Sequence, residues 1–219
     1  MTPLPYRTVL CDVDGTLVDS NGAHAEAWTQ ALRESGIEVN VGDIRPLIGM
    51  GGDKLLPAAA RIEESSPRGQ VIAKRKKEIF KSLLPRLRPT PGARPFLEYL
   101  RDHDITAVTA TSAGDREMRA ILEQAGLNDL FSAHTTKDDA EESKPDPDIV
   151  EAALARVKAQ LGTSVMIGDT PYDIEAARRA GIAAVALRCG GHWSDVDLRG
   201  AVAIYDDPAA LLAIWTSLD

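Results

Sequence analysis

An α/β protein with a doubly wound parallel sheet and a small helical insertion is predicted by two patterns in the chain. From about residue 92 onward, short apolar runs alternate with amphipathic stretches of helical period. Between residues 19 and 91 no strand-like run is evident, and apolar residues recur at helical spacing instead. Strands alternating with helices imply right-handed βαβ units and a parallel sheet covered on both faces.

Taken in order, residues 8–13 (TVLCDV) read as a short buried strand. Three helical stripes follow: His24, Trp28, Ala31 and Leu32; then Leu55, Leu56, Ala59 and Ile62; then Ile72, Ile79 and Leu83. They predict a small helical bundle inserted after the first strand. The Pro-rich LRPTPGARP (87–95) reads as the return linker, so residues 1–19 and 88–219 are expected to form one domain and 20–87 another. ITAVTA (105–110) is a predicted strand, and residues 115–125 a helix stopped by Gly126. FSAHTT (131–136) reads as a weaker strand and residues 147–161 as an amphipathic helix with Gly162 behind it. SVMIG (164–168), IAAVAL (182–187) and VAIY (202–205) complete the strands. Helices are expected over 172–181 and 208–218, the latter with Pro208 at its start.

The composition is that of an ordinary globular protein: 219 residues, 44% hydrophobic and 26% charged, with a net charge of −8. That charge argues against general binding to nucleic acid or to an anionic membrane, both of which need a basic surface. No apolar run is long enough to cross a bilayer, and MTPLPYRT lacks the apolar centre of a signal peptide, so a cytoplasmic setting is expected. Cys11 and Cys189 lie far apart and match no metal-binding spacing; Cys11 reads as a small core residue.

The polar residues of interest fall where a parallel sheet collects ligands, at the carboxyl ends of strands. Asp12 and Asp14 end the first strand, and Thr111 and Ser112 follow ITAVTA. Lys144 lies in SKPDPD, and Asp169 and Asp173 lie in GDTPYD after SVMIG. Each has a plainer reading: an Asp-Gly turn, a helix cap, a solvated lysine. An EF-hand loop is excluded, because Gly15 comes too early in DVDGTLVDS. Taken together, four segments bring four carboxylates to one edge. Such a collection repels itself unless a hard divalent cation sits among them, and oxygen ligands of this kind suit magnesium.

This arrangement resembles the haloacid dehalogenase superfamily of phosphotransferases over nearly the whole chain. DVDGT at 12–16 is similar to its first motif, Thr111 to its second, Lys144 to its third and GDTPYD at 168–173 to its fourth. The resemblance implies a Rossmann-like core and places the helical insertion with the helical caps of one subclass. It implies Asp12 as the nucleophile that becomes an aspartyl phosphate, and Asp14 as acid and then base. Thr111, Ser112 and Lys144 would hold the phosphoryl oxygens. Asp12, the main-chain carbonyl of Asp14, Asp169 and Asp173 would serve Mg2+.

In the insertion, His24, Gly51, Gly52, Lys54 and Lys76 are candidate substrate contacts, although His24 shares a packed stripe with Trp28 and the glycines of GMGGDK also suit a turn. The expected activity is a magnesium-dependent phosphatase for a small phosphorylated metabolite, similar to phosphoglycolate or a sugar phosphate. The runner-up is a phosphomutase like β-phosphoglucomutase. That enzyme grips its distal phosphate with a cap arginine where this chain has Gly52, with Lys54 as the nearby substitute. A catalytically silent binding module on the same fold is the third reading.

Overall fold

The structure, a computed structural model, describes residues 6–217. The first five residues of the N-terminal stretch and position 218 of the closing helix lie outside them. Five parallel strands form one sheet: β1 (Thr8–Cys11), β2 (Thr106–Thr109), β3 (Ser164–Gly168), β4 (Ala183–Leu187) and β5 (Ala203–Tyr205), in the order β2-β1-β3-β4-β5. The strands are short and apolar because both faces are covered. Alternate residues enter two separate cores, Val9, Cys11, Val165 and Ile167 on one side, Leu10, Val108 and Met166 on the other.

The first core receives α5 (Ala93–Asp102), α6 (Asp115–Ala125) and α9 (Pro208–Thr216), where Phe96 meets Trp215 edge-on at 5.4 Å. The second receives α7 (Asp148–Arg156) and α8 (Pro171–Arg179) through Ile149, Val150, Ala153 and Ile174. β1 lies between β2 and β3, with Thr8 opposite both Thr106 and Ser164. The crossover out of β1 to β2 packs α5 on one face, and the crossover back to β3 brings α7 onto the other. The strand order therefore reverses beside β1, the place where a parallel sheet opens a crevice at its carboxyl end.

Between β1 and β2 the chain is helical: α1 (Asn21–Glu34), α2 (Val41–Ile44), α3 (Gly52–Ala60) and α4 (Pro67–Leu83). The stripes pack as the spacing predicts, with Trp28, Ala31 and Leu32 of α1 and Ile72, Ile79 and Leu83 of α4 buried in one cluster. Ile62 lies past the end of α3, which stops where Arg61 takes a left-handed conformation at φ 55°. The two connections to the sheet run antiparallel, tied by Asp19 N–H to the Arg88 carbonyl (2.9 Å) and Thr90 Oγ1 to the Thr16 carbonyl (2.7 Å). The predicted linker 87–95 is shorter than expected, since α5 begins at Ala93. Gly92 before it has φ +75°, and a Cβ there would lie 2.4 Å from the Ala209 nitrogen.

Two expectations are corrected. Residues 131–136 form no strand; only Ala133 bridges Val108. Backbone bonds still hold the segment beside β2, from Ser132 N–H to the Ala107 carbonyl (2.9 Å), Thr109 N–H to the Ala133 carbonyl (3.3 Å) and Thr111 N–H to the Thr135 carbonyl (3.4 Å). The Thr135 N–H, however, goes to the Thr109 hydroxyl (2.9 Å), which donates back to the Thr135 carbonyl (3.1 Å), and the regular ladder is interrupted there. The helix expected over 147–161 ends at Arg156, because Lys158 turns left-handed at φ 52° and Ala159 N–H closes back onto the Leu154 carbonyl (2.9 Å). No helix among the described residues is long and apolar enough to cross a membrane.

Phe96→Ala leaves a cavity beneath Trp215, with the ring fully buried. The expected cost is about 3–5 kcal/mol, read as a lowered denaturant midpoint in far-ultraviolet circular dichroism.

Candidate active site

The end of β1 continues into Asp12, whose N–H still donates to the Ile167 carbonyl at 2.9 Å. Beyond it the chain reverses: Gly15 takes φ +80° and donates its N–H to the Val18 carbonyl at 2.8 Å. Asp12 is thereby fixed at the crevice and buried to 4% exposure. Its Oδ1 accepts from Lys144 Nζ at 2.6 Å, and its Oδ2 lies 3.2 Å from the Thr16 hydroxyl.

Lys144 is fully buried and donates three times: to Asp12, to Asp173 (2.6 Å) and to the Ala110 carbonyl (3.0 Å). All three ammonium protons are used. Asp173 also caps α8, its Oδ2 accepting from Thr170 N–H (3.0 Å) and Oγ1 (2.7 Å). Asp169 accepts from Asn21 Nδ2 at 2.8 Å and stands 3.0 Å from the Thr16 hydroxyl. Backbone closes around these acids. A Cβ on Gly168 would lie 2.4 Å from Asp173 Cβ, and one on Gly190 would lie 1.7 Å from Asp169 Oδ2.

Asp12, Asp169 and Asp173 thus each present a carboxylate oxygen within 4.8 Å of the others, and all three are buried. One ammonium faces three carboxylates. Burial pushes Asp12 up to about 7, against the Lys144 charge and with the help of Asp173 and Asp14. Asp169 is raised well above the carboxylate range by burial and by the neighbouring Asp12 and Asp173. The Asn21 Oδ1 beside them is buried without a hydrogen-bond partner. A buried, all-oxygen donor set with unneutralised negative charge fits a hard divalent cation.

Asp14 is treated differently. Its Oδ1 is 2.8 Å from His24 Nε2 and 2.5 Å from the Ser20 hydroxyl. Burial alone would raise it; the charge and hydrogen bond of His24, the Ser20 hydroxyl and Lys76 outweigh burial and hold it at about 2. His24 in turn lies flat on Phe80, ring centroids 3.9 Å apart. It is both a packed residue and a partner of Asp14.

Above the acids lies a cavity of about 570 Å³. Asp12, Asp14, Thr111 and Ser112 line it from the sheet, and His24, Trp28, Gly51, Gly52, Lys76 and Phe80 from the insertion. Thr111 Oγ1 accepts from the Ala113 N–H at 3.1 Å, and the Ser112 hydroxyl donates to the Gly49 carbonyl at 3.0 Å. Lys76 is buried to 6% exposure between Trp28 and Phe80 and pairs with Glu117 at 3.0 Å. Gly51 N–H donates to the Ser143 hydroxyl at 3.1 Å, and a Cβ on Gly52 would lie 2.8 Å from a Glu64 carboxylate oxygen.

Lys54 departs from its expected place. It pairs with Glu142 (2.5 Å) and Asp146 (2.8 Å) outside the cavity, so two carboxylates already hold the ammonium suggested as a substitute for the missing arginine. Four residues not singled out from the sequence take part: Thr16, Ser20, Asn21 and Glu117. Thr16 sits inside the first motif and Ser20–Asn21 at the start of a predicted helix, so position offered a signal for those three. Glu117 had none, because its meaning comes from a lysine forty-one residues away.

The haloacid dehalogenase-like hydrolase family matches the chain over residues 9–187. Probable phosphatase IndB of Dickeya dadantii is 30% identical over 191 residues, spanning 85% of this chain and 83% of the relative. A phosphoglycolate phosphatase of Nitrosospira multiformis is 29% identical over 185 residues, 82% of each chain. Among solved structures, a hydrolase from Pseudomonas syringae superposes with a TM-score of 0.90 at 29% identity, covering 97% of this chain and 99% of its own. The parallel sheet, the buried acids at its carboxyl edge and these likenesses converge: the chain belongs to the haloacid dehalogenase-like hydrolase family, whose relatives are phosphatases.

Proposed function

We propose that this protein is a magnesium-dependent phosphatase that hydrolyses a small phosphorylated metabolite, of the phosphoglycolate or sugar-phosphate kind, through an aspartyl phosphate on Asp12. The observation that carries this reading is the placement of Asp12 and Asp14 at the floor of one cavity, Asp12 on the buried Lys144 and among the acids Asp169 and Asp173, and Asp14 on His24. The relatives named as phosphatases support it.

Asp12 is the nucleophile: its carboxylate attacks phosphorus as the bond to the leaving oxygen breaks. Asp12, Asp169 and Asp173, with the Asp14 main-chain carbonyl, hold Mg2+, which when bound offsets the repulsion between carboxylate and phosphate and draws electron density from the phosphoryl oxygens. Lys144 keeps its proton, because Asp12 and Asp173 more than offset the cost of burial, and supplies positive charge from below. Thr111 Oγ1 already accepts from Ala113, so its own proton is free to donate to a phosphoryl oxygen. Ser112 offers its main-chain N–H beside it.

Asp14 and His24 act as a unit. Asp14, ionised by its surroundings, relays to the leaving oxygen the proton it shares with His24 Nε2. The carboxylate so released then takes a proton from the water that attacks the phosphoenzyme. Residues 20–87 act as the cap that closes the cavity against bulk water and shapes it around the leaving group. Gly52 and the engaged Lys54 favour hydrolysis over phosphomutase chemistry, since no side chain there forms the bidentate phosphate clamp.

Hydrolysis of p-nitrophenyl phosphate with MgCl2 tests the reading. Asp12→Asn is expected to fall to background, and Asp14→Asn to lose about 10²–10⁴-fold in kcat. Equal turnover by Asp12→Asn and wild type would overturn it. With β-glucose 1-phosphate and catalytic bisphosphate, free phosphate is expected to appear faster than glucose 6-phosphate; the reverse result makes the protein a mutase.

The metal has a readout apart from activity. MgCl2 is expected to raise the melting temperature of wild type by at least about 2–4 °C, the shift expected from roughly 1 kcal/mol in a chain of this size. Asp169→Asn is expected to abolish that rise and, in EDTA, to melt above wild type, because one of three mutually repelling buried carboxylates is gone.

A further inference from the structure

Charge is unevenly matched around the cavity. Every carboxylate lining it has a partner: Asp12 has Lys144, Asp14 has His24, Glu64 has Lys137, Glu78 has Arg75, Glu117 has Lys76, and Asp138 accepts from the Asp115 N–H. Four lining cations, Lys74, Lys77, Lys81 and Arg116, form no hydrogen bond or ion pair among the described residues. The three lysines fall at i, i+3 and i+7 on α4, one face of one helix. Arg116 comes from the first turn of α6 and lines the same cavity. All four are exposed at its rim, in a protein whose net charge is −8.

A solvated helix face scatters its charges toward water. Here two elements from different parts of the chain bring four unpaired cations to the mouth of the cavity that holds Asp12. Low-dielectric walls such as Trp28 and Phe80 strengthen their field inside it. The scissile phosphate does not need them, since Lys144, Thr111 and Ser112 already lie at the sheet edge.

We propose that Lys74, Lys77 and Lys81 of α4, with Arg116 of α6, form a second-anion subsite, so that the preferred substrate carries a carboxylate or a second phosphate on its leaving group. This rests on the phosphatase reading and narrows its substrate class. Lysines act as point charges that attract an anion without fixing its orientation. That suits a leaving group which departs after one chemical step, and it makes affinity depend on ionic strength.

Matched alkyl phosphates test the proposal: a series ending in methyl, in carboxylate, or in a phosphonate that resists hydrolysis, at several chain lengths. At one length or more, wild type is expected to favour a charged terminus about tenfold or better in kcat/KM. The gain should lie mainly in KM and shrink as salt rises. The carboxylate and phosphonate arms tell the two anions apart. In K74Q/K77Q/K81Q and in R116Q, the ratio of charged to uncharged substrate is expected to fall toward one, a quantity that general damage to the fold or the chemistry leaves in place. A ratio near one in wild type at every length, or a preference that survives both variants, overturns the subsite. Loss of p-nitrophenyl phosphate turnover in wild type, or its survival in Asp12→Asn, overturns the phosphatase reading instead.

Discussion

Three buried carboxylates crowd together at the end of β1 with one buried ammonium, which pairs with only two of them, and much of the molecule serves that imbalance. Burying acids costs several kcal/mol each unless something compensates. The compensation here comes from three places in the chain: a lysine that spends all its protons on two acids and a carbonyl, a helix whose N-terminal cap uses Asp173, and an asparagine that holds Asp169. A parallel sheet with its switch point at β1 is what brings those distant segments together. The residual negative charge is the feature a bound cation exploits.

Asp12 and Asp14 show how environment divides labour between identical side chains two positions apart. Asp12 faces the crowded acids and is pushed up; Asp14 faces the insertion and is held down by His24. The insertion therefore does more than cover the sheet. Through α1 it supplies the histidine that sets the state of Asp14, and through Phe80 of α4 it holds that histidine flat. Chemistry and enclosure are joined at one imidazole.

The core of this arrangement was legible because it is local. Apolar strands, their polar carboxyl ends and glycine stops are short-range patterns, and the five strands lie within a residue or two of their predicted positions. What the pattern could not convey was competition. Residues 131–136 have strand-like composition and keep some backbone bonds to β2, yet the Thr109 hydroxyl takes the Thr135 N–H and interrupts the ladder. The α7 stripe runs on past Arg156, yet Lys158 turns the chain. Lys54 has the charge to face a phosphate, and two carboxylates reached it first. Each miss turns on a partner far away or on a backbone choice invisible to periodicity. Likewise Lys76 was readable as a candidate, whereas its salt-bridge partner Glu117 was not.

Gly168 and Gly190 contribute no functional group, yet backbone alone fits against Asp173 and Asp169 at those points. At these two points main chain packs directly against the acids' own side chains, leaving no room for a methyl group. A selection for loss of activity would therefore recover alanine at these two sites as readily as changes to the acids themselves. Reading such a map by chemical type would miss that the absent methyl is what the site requires.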